Sequence, residues 1–152
     1  KGRAMHAATG AGRGYAVSGC VSEAIKKCID EYYPGTEVKT EHAEGLSECK
    51  KMLMLAKAGK KDGCMIEGMG CPGGCVNGGG QPQVPAMVRN FTDIRAERAK
   101  ALYSLDEKNA LRFSHENPDV KELYATYLGE PGSHKAHDIL HTTYVKRKIH
   151  EI

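Results

Sequence analysis

Two cysteines, Cys71 and Cys75, are separated by three residues in the most unusual stretch of the chain. The sixteen residues from Glu67 to Pro82 contain these two cysteines and seven glycines. Thiolates at this spacing can both bind one metal centre if the loop is tightly coiled, and glycines allow such coiling because they reach positive φ without strain and carry no Cβ. Backbone N–H groups can then approach the sulfur atoms of an iron–sulfur cluster and tune its reduction potential.

A Cys-x3-Cys pair taken alone is a weak signal. Two buried structural cysteines account for it as well. A tetrahedral zinc site would need two further ligands, and no second cysteine pair lies near. The glycine content strengthens the metal interpretation, because a purely structural loop rarely needs so many glycines. The stretch therefore predicts a metal-binding loop, with a small zinc-binding or structural module as the alternative.

The residues before this stretch predict alternating helices and strands. Apolar spacing and turn residues predict a helix over 16–33, a strand over 36–43, a helix over 46–58 that Gly59 caps, and a strand over 63–67. Such alternation favours a parallel sheet with helices on its faces, so the predicted fold class is α/β. The chemistry is expected in the loop from Met69 to Pro82, at the carboxyl end of a strand, where ligands gather in open α/β sheets.

Beyond Pro85 the chain is predicted to be helical. One helix is expected over 93–105, and Asn117-Pro118 is typical of the start of another that runs to Leu128 and stops at Gly129. Ser133 can cap a last helix to about Tyr144. The sequence thus predicts a partial parallel sheet flanked by helices, followed by a helical C-terminal tail.

Composition limits the function classes. The chain has 152 residues, 40% hydrophobic and 27% charged, with a net charge of +3, which is typical of one globular domain long enough to bury a core. No run approaches the roughly 18 apolar residues of a membrane span. No basic tract is present, so no nucleic-acid partner is expected. The start at Lys1, without Met, is expected to be a cleavage point or a fragment boundary.

The glycine-rich string resembles the third cysteine signature of iron-only (FeFe) hydrogenases, Glu-x-Met-x-Cys-x-x-Gly-Cys-x-x-Gly-Gly-Gly-x-Pro. Every fixed position is present, namely Glu67, Met69, Cys71, Gly74, Cys75, Gly78, Gly79, Gly80 and Pro82. A second stretch is similar to the family's C-terminal tail, which is a separate small subunit in some members; it includes Leu102-Tyr103, Asp106, Arg112, Ser114-His115, Asn117-Pro118, Leu123-Tyr124 and Ser133-His134-Lys135-Ala136-His137. Residues 10–25 resemble the Gly-rich loop and helix that line the same site.

The resemblance implies an H-cluster, which is a 4Fe–4S cubane joined through one cysteine sulfur to a two-iron unit with CO, cyanide and a dithiolate. It implies Cys75 as the bridging and catalytic cysteine and Cys71 as a ligand of the cubane. It implies Met69 in the two-iron pocket, Tyr15 as a flanking aromatic residue, and the Gly73-Gly74 pair in the cofactor-binding loop. The reaction would interconvert protons, electrons and H2.

Departures from the family limit this expectation. The family's cubane has four cysteine ligands, and the two signatures that supply the others, a Thr-Ser-Cys-Cys-Pro-like and a Pro-Cys-x-x-Lys-like string, are absent. Their proton-relaying cysteine and cyanide-binding lysine are absent with them. We therefore expect a fragment that cannot assemble the H-cluster alone. Gly19-Cys20 stands where the family has Gly-Gly, which places Cys20 near the site without a ligand role.

Several other patterns favour structural roles. His134, His137 and His141 are expected on one helical face, where packing and hydrogen bonding are favoured over zinc binding. Gly10-x-Gly12-x-Gly14 has the wrong spacing for a phosphate loop. Cys28, Cys49 and Cys64 are expected in the core, and the triad-like Ser114-His115-Glu116 and the solvated Lys146-Arg147-Lys148 carry no predicted function.

We thus interpret residues 1–90 as the C-terminal lobe of the hydrogenase large-subunit domain, with its cluster loop at 67–82, and residues 91–152 as the small-subunit-like tail. The expected partners are the remaining N-terminal part of the hydrogenase, a ferredoxin-type or NAD(P)H-linked electron carrier, and H2 and protons. The expected location is the cytoplasm, with the periplasm as the alternative. An iron–sulfur assembly protein related to the prelamin A recognition factor, or a sensory hydrogenase, remains open.

Overall fold

Seven helices and two strands make up the part of the chain that the computed structural model describes, residues 8–145. In chain order they are α1 (Gly10–Gly14), α2 (Cys20–Tyr32), β1 (Lys39–Glu44), α3 (Gly45–Lys57), β2 (Cys64–Met69), α4 (Ala86–Arg89), α5 (Ile94–Glu107), α6 (Pro118–Leu123) and α7 (His134–Leu140). Short 3-10 turns lie at Cys75–Asn77 and Ser114–Glu116, and a π-helical turn, Tyr124–Leu128, continues α6.

The sheet consists of the parallel pair β1 and β2, which confirms the predicted α/β class and partial parallel sheet. Lys39 lies opposite Cys64 and Glu44 opposite Met69, so the two carboxyl ends lie side by side. Helix α3 is the crossover that a parallel pair requires. It ends as predicted at Gly59, where Gly59 N–H donates to Ala56 O and Lys60 N–H donates to Leu55 O, the two bonds of a Schellman motif.

The single helix predicted over 16–33 is wrong at its first turn. The structure has the short α1 before it and begins α2 only at Cys20, because Gly19 takes φ 90°, which interrupts helical geometry. The intervening residues instead bond the loop that carries the two cysteines, with Ser18 N–H donating to Gly73 O at 3.2 Å. The strands also lie later than predicted, and Met69 is the last residue of β2 rather than the first of the loop.

The tail is helical as predicted, and side chains begin its helices. Asp93 accepts from the Arg95 and Ala96 amides at the start of α5, Asn117 accepts from Asp119 N–H before α6, and Ser133 accepts from Ala136 N–H before α7. The prediction that the last helix reaches Tyr144 is wrong. Helix α7 ends at Leu140, because His141 has extended backbone angles.

The histidine face predicted on that last helix is therefore not formed. His134 and His137 lie in α7, whereas His141 follows it, and the His137 and His141 rings contact each other with centroids 4.2 Å apart. No group of three or more His, Cys, Asp or Glu side chains within residues 8–145 is placed to hold a metal ion. The predicted solvated run at Lys146–Lys148 lies outside the described residues.

The core is smaller than the length of the chain suggested. Among residues 8–145, its buried hydrophobic residues are Ala43, Val76, Leu128 and Ala136. Cys28, Cys49 and Cys64, expected in the core, are only half-buried, because a sheet of two strands offers little area to the helices. Large apolar side chains such as Leu46 and Leu53 of α3 remain 79% and 68% exposed. Within the described part of the chain, no helix has the length and apolar character needed to cross a membrane.

Candidate metal centre

Both cysteines of the motif lie beyond the end of β2, in the segment from Gly70 to Pro82, which we call the cysteine loop. A cavity of about 370 Å³ opens there, lined by Met69, Gly70, Cys71, Gly74, Cys75, Gly78, Gly80 and Gln81. Cys71 is half-buried and Cys75 is exposed, and both are free thiols. The loop thus presents two thiols and a thioether to one cavity whose remaining wall is mostly glycine.

Not every predicted site residue reaches this cavity. Gly73 and Tyr15 are absent from its lining. Gly73 is half-buried in the turn between the cysteines, and its carbonyl accepts the Ser18 amide. Tyr15 is 36% exposed, and its hydroxyl lies 2.5 Å from the Ser114 hydroxyl of the tail. The structure therefore brings Met69, Cys71, Gly74 and Cys75 together and holds Tyr15 through the tail.

Tight turns shape the loop around its thiols. Gly74 N–H donates to Cys71 O at 2.9 Å, and Gly78 N–H donates to Cys75 O at 3.0 Å. Two amide side chains add bonds within the loop, from Asn77 Nδ2 to Pro72 O and from Gln81 Nε2 to Cys75 O, both at 3.1 Å. The carbonyl groups of Cys71, Pro72 and Cys75 thus accept hydrogen bonds from within the loop.

Gly74 is the point of closest approach between the loop and the segment before α2. It is buried with φ 92°, and a Cβ built on it would lie 2.6 Å from Ala16 O and 2.8 Å from Ser18 N. Real Cβ atoms do not come so close to backbone atoms, so no other residue fits this position without a shift of the chain. Val76 N–H stabilises the same close approach by donating to Ala16 O at 3.1 Å.

Charged side chains from three other elements hold the loop and its neighbours. Glu44, at the end of β1, accepts the Gly73 N–H at 2.9 Å. Glu67 of β2 accepts from the start of α2. Arg98 of α5 donates to Val76 O at 2.9 Å and to Pro82 O at 2.7 Å. The sequence marked Glu67 as a fixed position of the cysteine signature but predicted no contact for it, and nothing in the sequence around Glu44 or Arg98 signals a role for those two residues.

The residues present fit one side of an iron–sulfur cluster. Two free thiols share one cavity, and Gly74 lets the loop approach the segment before α2 as closely as backbone contact permits. The hydroxyl of Ser18, beside this approach, is buried without a hydrogen-bond partner. A cubane needs four ligands, and the two thiols supply half of them. Elsewhere in the chain, burial and the Glu31 charge raise the pKa of the Cys28 thiol, which disfavours the thiolate form that binds metals.

Another cysteine lies beside the tail instead of in the cavity. Cys20 begins α2, and its Sγ lies 3.5 Å from the Tyr103 hydroxyl of α5. The hydrogen bond with Cys20, helped by desolvation and by repulsion from Cys20 and Glu23, raises the pKa of Tyr103 to about 12. The expectation that Cys20 lies near the site without being a ligand stays a prediction; its thiol does not line the cavity of Cys71 and Cys75.

Two families of known proteins match successive stretches of the sequence. Residues 1–79 match the family described as "Iron only hydrogenase large subunit, C-terminal domain", and residues 92–147 match the "Iron hydrogenase small subunit" family. The boundary between the matches falls where the cysteine loop leads into α4 and α5.

The individual relatives include a hydrogenase and an iron–sulfur assembly component. The chain is 43% identical over 102 residues to Iron hydrogenase 1 of Clostridium pasteurianum, a match that covers 67% of this chain and 18% of that protein. It is 34% identical over 102 residues to Cytosolic iron-sulfur assembly component 3 of Bos taurus, covering 67% of this chain and 20% of that protein. A solved structure of an FeFe-hydrogenase from Chlamydomonas reinhardtii matches with a TM-score of 0.55 and 49% identity over 71% of this chain and 25% of that one. The chain therefore spans about a fifth of the length of the curated relatives it matches.

Proposed function

This chain belongs to the iron-only hydrogenase family, and from that premise we propose that it forms one side of the binding site for the family's H-cluster. The observation that carries the proposal is that Cys71, Cys75 and Met69 line one glycine-walled cavity. Cys71 would ligate the 4Fe–4S cubane, and Cys75 would bridge it to the two-iron unit. When bound, the cluster would supply the iron at which protons and H2 interconvert, with electrons exchanged with a separate electron carrier.

The chain's own residues would bind and shield the cluster. The two thiols ligate it as thiolates. Met69 gives the cavity an apolar wall, and Gly74 permits the close approach of the loop to the segment before α2. In this proposal Gly73 belongs to the turn that separates the two ligands, and Tyr15 flanks the two-iron unit from a position that Ser114 holds.

Two thiols make half of a cubane site, so we propose that this chain alone is inactive. The remaining ligands would come from the N-terminal part of the hydrogenase, which is the proposed partner together with a ferredoxin-type or NAD(P)H-linked electron carrier. The six cysteines are free thiols, which supports a reducing compartment such as the cytoplasm as the location.

A second candidate function is that of an iron–sulfur assembly protein. The similarity to the assembly component of Bos taurus favours it, at 34% identity against 43% for the hydrogenase of Clostridium pasteurianum over the same number of residues. The higher identity supports the hydrogenase. A sensory hydrogenase would share the same cavity, and H2 turnover by the complete protein separates it from a catalytic one.

Anaerobic reconstitution with iron and sulfide tests the proposal. Joined to the N-terminal part of a hydrogenase large subunit, the chain is expected to hold a 4Fe–4S cluster that Cys71→Ser and Cys75→Ser each abolish. Cys28→Ser, which changes a thiol outside the cavity, is the matched control and should keep the iron. Retention of the cluster in both loop variants would refute the proposed site. Hydrogenase activity from the 152-residue chain alone would refute the half-site.

A further inference from the structure

Arg98 connects the tail to the cysteine loop through two hydrogen bonds. Its guanidinium Nη1 donates to Val76 O at 2.9 Å and its Nη2 donates to Pro82 O at 2.7 Å. The two carbonyl groups are six residues apart in the chain, and the segment between them carries three of the cavity's lining residues. The guanidinium suits this role, because its planar fork fixes Nη1 and Nη2 as two separate donors.

The two halves of the loop are held from different directions. Backbone contacts with the segment before α2 and the Glu44 carboxylate hold the half that contains Gly73 and Gly74. The half after Val76 is rich in glycine, and a Cβ built on Gly79 or Gly80 would meet nothing within 4 Å. This second half is therefore loosely packed, and the bond from Arg98 to Pro82 fixes its far end.

The position of Cys75 depends on this second half. Cys75 begins the 3-10 turn that Val76 and Asn77 continue, and Val76 is buried at 3% exposure. Val76 is held from two sides, because its N–H donates to Ala16 O at 3.1 Å and its carbonyl accepts from Arg98. Displacement of Val76 would displace the Cys75 thiol with respect to Cys71, whose turn is held separately.

We propose that Arg98 is a positioning residue, through which helix α5 of the tail fixes the Cys75 half of the loop in its ligand-presenting geometry. The inference rests on the proposed cluster site and adds its regulation: docking of the tail and the geometry of the metal ligands are coupled. A permanently protonated guanidinium beside the loop also places positive charge near the cluster, which favours its reduced, more negative form.

Amide hydrogen exchange on the 152-residue chain tests the positioning role without any metal. Arg98→Met should make the Asn77 and Gly78 amides exchange at least about fivefold faster than in the unchanged chain, because the turn then opens locally. Arg98→Lys can reach one of the two carbonyl groups, so its Asn77 and Gly78 amides should exchange at an intermediate rate. Lys100→Met, at an exposed position of the same helix, is the matched control and should leave the exchange rates of these amides unchanged.

The amides of α3 serve as an internal reference. Equal acceleration there and in the loop would mean general loss of stability and would overturn the inference, as would equal exchange in Arg98→Met and the unchanged chain. Selective acceleration in the loop supports it.

The charge is tested on the reconstituted complete protein. A redox titration followed by the cluster's paramagnetic resonance signal should give a more negative reduction potential for Arg98→Met and a nearly unchanged one for Arg98→Lys. The same potential in all three proteins would overturn the electrostatic part of the inference. Absence of any cluster in the unchanged protein would instead refute the proposed function, and the exchange experiment would still decide the positioning role.

Discussion

Glu67 and Ser22 join strand β2 to the first turn of helix α2. Glu67 Oε2 accepts hydrogen bonds from the Ser22 amide at 2.9 Å and from the Ser22 hydroxyl at 2.8 Å, while Oε1 accepts the Gly19 amide at 3.1 Å. Gly19 provides no side chain to cap α2. The first residue of the cysteine signature therefore caps a helix from a distant part of the chain, where a negative charge is also favoured.

We expect Glu67→Gln to destabilise this junction. An amide nitrogen cannot accept, so at least one of the three donors loses its partner, and the free energy of unfolding should fall by about 1–3 kcal/mol. Urea unfolding followed by circular dichroism measures this change. Glu37→Gln, at an exposed position before β1, is the control. Equal stability of the two variants would contradict the capping role.

Gly74→Ala is expected to damage both the fold and the metal site. The residue has φ 92°, and the new Cβ would approach Ala16 O to 2.6 Å, so the free energy of unfolding should fall by about 1–3 kcal/mol or more. Iron uptake on reconstitution of the complete protein should fall as well. Gly79→Ala, where a Cβ meets nothing within 4 Å, should keep its stability, and similar losses in both variants would argue against the close approach.

The contact between Cys20 and Tyr103 should be measurable in the pKa of Tyr103. Tyr103 has a pKa of about 12 in the folded chain, with the hydrogen bond to Cys20 as the largest cause. Because this pKa is raised, the stability that protonated Tyr103 contributes is fully present below the ordinary tyrosine pKa of about 10. It is lost as the pH rises through the pKa of Tyr103 in the folded chain. Ultraviolet difference titration should show Cys20→Ala lowering the pKa of Tyr103. An unchanged titration would mean that desolvation, and not Cys20, dominates.

His115 should anchor the tail on α2. Its Nε2 lies 2.8 Å from Glu31 Oε2, and its ring stacks on Phe113 and meets Tyr32 edge-on, with centroids 5.5 and 5.4 Å away. His115→Ala should lower the free energy of unfolding by about 1–2 kcal/mol, since the aromatic contacts and the hydrogen bond to Glu31 are lost. Limited proteolysis should then cut the tail faster. The exposed His134→Ala provides the comparison, and equal cleavage of the two variants would rule out the anchor.

Sequence alone determined what depends on neighbouring residues. The strand, the glycines and the two cysteines follow one another directly, so their order predicted a loop that presents both thiols beyond the end of β2. Caps are equally local: Asn117 and Ser133 accept amides two or three residues further on, and Gly59 ends α3 as predicted. The α/β class followed from the alternation of helices and strands.

Only the tertiary structure decided what depends on contacts between distant residues. Ala16 and Ser18 leave the helix predicted for them because their backbone groups bond the cysteine loop. Arg98 reaches Val76 and Pro82 because α5 packs beside the loop, which no local pattern encodes. Helical spacing showed which side chains share a face but not what covers that face. Cys49 is thus half-buried on the sheet, while Leu46 and Leu53 of the same helix, α3, remain exposed, because two strands are too narrow to cover all of its apolar side chains.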